Sequence, residues 1–152
     1  MLLIAALSLG FMIDTPESIK QREKDAKRYA KEARVWRKAV SKSYDLDALR
    51  KFLDQQIREH PSVDGISLAK AKTESAWVFD SQMLKCGDWS FSSEKPTGSS
   101  FTIWWTYEEL KSADGSSVLF KTITLNCSRE SKDSFTFLSA KREEDEYIIL
   151  QI

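Results

Sequence analysis

The sequence predicts an α+β domain, with one long and one shorter N-terminal helix packed on an antiparallel meander sheet of about five strands. Two observations predict it. Apolar residues recur every three or four positions between Glu17 and His60, and every second position from Ala76 onward. The order is thus two helices followed by a run of strands, and helices segregated from an antiparallel sheet make an α+β domain.

The first helix is expected from Glu17 to about Lys42. Thr15 can cap its N-terminus, and Pro16 fits the first helical position, where a missing N–H costs nothing. Ala26, Tyr29, Ala30, Ala33, Trp36 and Val40 form one apolar stripe, with Tyr29 and Trp36 as large anchors for a core. Trp36 should meet the sheet face that carries Phe101, Ile103 and Trp105. After a break at Ser41–Tyr44, Asp45 caps a second helix marked by Leu46, Leu49, Phe52, Leu53 and Ile57, which His60-Pro61 ends.

Val63-Asp64-Gly65 reads as a turn, and Ile66–Ser75 fits either a short helix or an irregular strand. Trp77 with Phe79, and Trp89 with Phe91, then share strand faces around a turn or bulge at Cys86-Gly87-Asp88. Ser92–Ser100 is a loop. Phe101, Ile103, Trp105 and Tyr107 make the clearest alternation, and Asp114-Gly115 marks a hairpin turn. Val118–Cys127 is apolar on both faces, as a central strand would be. Phe135, Phe137 and Leu138 follow, then the charged run Lys141–Glu146, and Tyr147–Ile152 closes the chain as a last strand.

Residues 1–13 carry no charge and form an apolar signal-like or anchor segment, leaving 14–152 as a single domain. As a helix they would span roughly 20 Å, short of the roughly 30 Å hydrocarbon core of a bilayer. Ser8-Leu9-Gly10 offers small residues for signal cleavage after Gly10, while the cations that follow would hold an anchored domain on the cytoplasmic face. A tail packed on the protein's own body is the alternative. Net charge is zero, but residues 17–60 carry 13 Lys and Arg against 8 Asp and Glu, and residues 61–152 carry 10 against 14. The simplest expectation is that the basic and acidic parts attract one another. Zero net charge argues against a nucleic-acid partner.

The residues offer little for catalysis. His60 is the only histidine, beside a proline at a helix end, where a solvated cap is expected. No glycine-rich phosphate loop and no metal-ligand spacing occurs, so no cofactor or metal is expected. Glu108-Glu109 and Glu143–Glu146 are adjacent carboxylates in expected turns, and Asp80 and Asp88 lie near strand aromatics. Cys86 and Cys127 would form a disulfide if the domain is exported, or remain small buried side chains if it is cytosolic. The remaining signal is Trp104. Adjacent to Trp105 in a strand, it must face the other way, outward between Thr102 and Thr106, as a binding platform would.

In element order alone the chain resembles cystatin-like and NTF2-like architectures, with no family motif beside it. The expected function is a non-enzymatic cell-envelope or secreted domain that binds a protein partner, with membrane association through residues 1–13. The alternative is an NTF2-like small-ligand or enzymatic cone, with Asp80 or Asp88 in a polar pocket between helix and sheet.

Overall fold

The computed structural model describes residues 15–110 and 117–148. The apolar segment 1–13, the expected turn at Ala113–Ser116 and residues 149–152 lie outside the described residues. Helices α1 (Pro16–Ser43) and α2 (Leu46–Glu59) are followed by the hairpin β1 (Ser62–Val63) and β2 (Ile66–Ser67), then a single 3-10 turn (Leu68–Lys70). Six strands follow among the described residues: β3 (Val78–Asp80), β4 (Met83–Cys86), β5 (Trp89–Ser92), β6 (Ser100–Leu110), β7 (Ser117–Ser131) and β8 (Ser134–Ile148). They form one antiparallel meander in chain order. The α+β class stands, with six strands and a separate hairpin where about five strands were expected.

The helix boundaries follow from their caps. Thr15 Oγ1 accepts the Ser18 amide at 3.1 Å with Pro16 at the first helical position. Asp45 Oδ1 accepts the Asp47 and Ala48 amides at 3.0 and 3.2 Å, and the His60 amide closes α2 on the Gln56 carbonyl. Asp64 and Gly65 have φ of 50° and 81°, the left-handed pair that a two-residue hairpin turn requires. The ambiguous segment from Ile66 resolves into β2 and the 3-10 turn.

The core lies between the helices and one sheet face. Phe79, Leu84, Phe91, Ile103, Leu125 and Ala140 form a single row across all six strands. Val40 of α1 and Leu49, Phe52 and Leu53 of α2 cover this face. Between the helices, Tyr44 is 1% exposed and sits within 5.0–5.9 Å of the rings of Phe91, Phe101 and Phe135. Trp36 packs on Phe79 and Phe91 at ring distances of 6.0 and 6.4 Å, on the face that carries Phe101, Ile103 and Trp105, as the stripe and strand parity predict.

Three expectations need correction. Tyr29 is not a core anchor but is 50% exposed, and the buried residues of α1 are Ala33 and Val40. Its 28 residues span about 42 Å, whereas six strands are about 24 Å across. Trp36 lies over β3 and β5 and Tyr44 over β5 and β6, so α1 runs across the strands and its N-terminal half passes beyond the β3 edge. Second, the charged run Lys141–Glu146 is no turn. It lies inside β8, a single edge strand in which Lys141–Glu143 and Arg142–Glu144 pair at 2.8 and 3.2 Å. Third, β7 is an interior strand, paired with β6 and β8, but its two faces differ. Its Ile123, Leu125 and Cys127 are buried while Thr122, Thr124 and Asn126 face the other side.

Candidate functional site

The sheet has a second face that neither helix covers. Strand parity assigns to it the row Val78, Lys85, Ser90, Trp104, Thr124 and Lys141, one residue from each strand. Trp104 therefore stands mid-sheet on the outer face, half-buried, between Ser90 of β5 and Thr124 of β7. Ser90 is only 2% exposed although it faces outward, and Trp104 and Lys85 are the side chains that its strand neighbours place over it. Hydroxyls and amides surround the indole. Thr106 and Thr122 share a hydrogen bond of 2.8 Å, and Asn126 Nδ2 donates to Ser139 Oγ at 3.2 Å. Val78 and Met83, 58% and 37% exposed, add apolar surface toward the β3 edge. Such a face offers one flat aromatic platform among groups that donate and accept hydrogen bonds.

The other candidates lie apart from it. Asp80 is exposed on the outer face, and Asp88 is exposed and bonded to the chain itself. Its Oδ2 accepts the Lys72 amide at 2.7 Å, and its own amide donates to the Lys72 carbonyl at 2.9 Å. That close approach requires Gly87, where a Cβ would lie 2.2 Å from the Lys72 carbonyl oxygen. Neither aspartate faces the space between helices and sheet, which Trp36, Tyr44, Phe52, Phe91, Phe101 and Phe135 fill. His60 caps α2 and stacks on Phe137 at 4.2 Å. Glu108 and Glu109 lie in β6, not a turn, and Glu109 pairs with Lys121 at 2.7 Å, which holds its carboxyl below the usual range. Among the described residues no group of three His, Cys, Asp or Glu side chains gathers to hold a metal.

Cys86 and Cys127 are free and buried, which corrects the expected disulfide. They sit on β4 and β7, separated by β5 and β6. Three strand spacings are about 14 Å, twice the Cα separation that a disulfide tolerates. Cys86 Sγ donates instead to the Glu74 carbonyl at 3.4 Å. Burial pushes the Cys127 thiol up to about 12.

Two residues that organise the interior went unnoticed in the sequence. Tyr44 falls in a helix break, outside any stripe. Arg129 sits where β7 ends, and a lone arginine there carries no signal; it donates to the carbonyls of Ser43, Thr97 and Gly98 at 2.9–3.2 Å. No protein-family model, curated protein or solved structure matches the chain.

Proposed function

We propose that this is a non-enzymatic interaction domain of the cell envelope, exported or anchored through residues 1–13, which meets a protein partner on the outer face of its sheet. One observation carries the partner-binding part: Trp104 stands on a hydroxyl-lined face to which neither helix contributes cover. A large aromatic left partly exposed on such a face is the residue type that anchors interfaces. The envelope part rests on the uncharged run before Asp14. Cys86 and Cys127 are free thiols, which suits a reducing compartment, and the cytoplasmic face of a membrane stands as the alternative. No observation favours a ligand-binding cone, because the aspartates it needs face solvent.

The test uses tagged full-length protein in its native cells. Trp104→Ala should change stability by about 1 kcal/mol or less, the scale of one cross-strand pair. It should lower capture of the partner at least tenfold. Unfolding of the variant, or undiminished capture, sinks the platform. For the compartment, fractionation with mass spectrometry of the N-terminus should place the protein in a membrane or exported fraction, and recovery with the soluble cytosol removes the envelope assignment.

A further inference from the structure

We infer that α1 carries a second binding surface, independent of Trp104, which lies on a bilayer containing anionic phospholipid. Lys20, Lys24, Lys27, Lys31, Arg34, Lys38 and Lys42 follow one another at steps of three or four residues along the helix. At about 100° per residue these positions fall within an arc of about 80°. The only other residue of α1 in that arc is Pro16, so the stripe contains no carboxylate. It is about 33 Å long, at about 1.5 Å per residue. All seven side chains are exposed, and none makes an ion pair among the described residues.

The pattern runs against the helix's own stability. Cations at i and i+4 repel, whereas alternating charges would attract, and the three acids in mid-helix, Glu23, Asp25 and Glu32, all lie outside the stripe. An external anionic surface would offset this repulsion. The geometry leaves room for one. The stripe points about 155° from the mean direction of Ala33 and Val40, the residues by which α1 meets the body, so the sheet does not obstruct a planar approach. The loop after β5 flanks α1 on the side of Val35 and Ala39 through Glu94, Pro96 and Thr97, in grooves that Lys31, Lys38 and Lys42 of the stripe also line while staying exposed.

A membrane fits better than a nucleic acid. The row is straight and bears no aromatic or amide group to read a base, and the chain as a whole is neutral. The apolar residues Leu2–Ile13 immediately precede the helix, and a polybasic stretch beside an apolar segment matches the charge of an anionic leaflet.

Vesicle co-sedimentation of the full-length protein tests this. Phosphatidylcholine vesicles are compared with vesicles in which about a third of the lipid is phosphatidylglycerol, at about 0.1 M and 0.5 M salt. Binding should be at least tenfold tighter to the anionic vesicles at low salt, and that advantage should vanish at high salt. The combined variant K24E/K27E/K31E/K38E should lose it while keeping the parent's melting temperature and its residual binding to neutral vesicles. The variant Trp104→Ala should retain it. Equal binding to both vesicle types, or an advantage that survives the charge reversal, overturns the inference. Tighter binding to a duplex DNA or single-stranded RNA oligomer than to anionic vesicles, lost in the same variant, also overturns it and makes the stripe a nucleic-acid surface.

Discussion

Arg129 of β7 reaches the backbone carbonyl of Ser43, the last residue of α1, at 3.2 Å, and so joins the far end of the sheet to the junction between the helices. The same guanidinium donates to Thr97 and Gly98 in the loop after β5 and lies 5.3 Å from the centre of the Tyr44 ring. Three segments distant in sequence therefore share one cation, whose fork matches several carbonyls at once.

Arg129→Ala should cost about 2–3 kcal/mol, the scale of charged hydrogen bonds left unmade. Arg129→Lys should recover less than half of that, because an ammonium cannot reach all three segments. Urea unfolding of the three proteins measures both. A loss below about 0.5 kcal/mol for the alanine variant would mean that water replaces the guanidinium without penalty.

Trp36→Ala should cost about 2–3 kcal/mol, below the usual range for a fully buried tryptophan because the side chain is half-buried. It loses the contacts with Phe79 and Phe91 and a 3.3 Å bond from its indole N–H to the Ser93 carbonyl. Trp36→Phe should restore most of the packing. A change below about 1 kcal/mol would detach α1 from the sheet.

The thiols predict two behaviours. Native protein at pH 8 should react very slowly with iodoacetamide at Cys127, because the thiolate is the nucleophile and burial pushes this thiol up to about 12. In denaturant, two thiols per chain should titrate at once, and a count of zero would restore the disulfide. The same shift acts on stability. The folded value lies above the ordinary thiol value of 9.0, so the neutral thiol favours the fold below about pH 9. That contribution falls as pH rises from about 9 toward 12, because the unfolded chain loses the proton first. Tyr44, whose hydroxyl burial also raises, acts in the same direction. Stability that rises with pH across this window would contradict both.

Elements with a local chemical signature were legible in the sequence. The caps at Thr15 and Asp45, the left-handed turn at Asp64-Gly65 and the parity of Phe101 to Tyr107 each depend on neighbouring residues alone. Strand β4 was not legible, since its four residues follow a turn in which Ser81, rather than a glycine, adopts φ of 56°. Strand β8 was hidden because Lys141–Glu146 has low strand propensity, and only pairing with β7 keeps it extended. The exposure of Tyr29 depends on how far the sheet extends beneath the helix, a property of all six strands together. For the candidate site, the sequence placed Trp104 on the right face by parity, but could not show that both helices lie on the other one.

The two borders of the sheet differ in a way that bears on crowding. On one side, β3 offers only three residues of unpaired backbone. On the other, β8 is fifteen residues long, and its stretch Lys141–Asp145 sets two cations and three anions along the open side. A neighbouring copy that tried to add its own strand there would have to strip water from these charged side chains. Molecules gathered at high density can thus stay discrete, because neither border templates a continuous cross-molecule sheet.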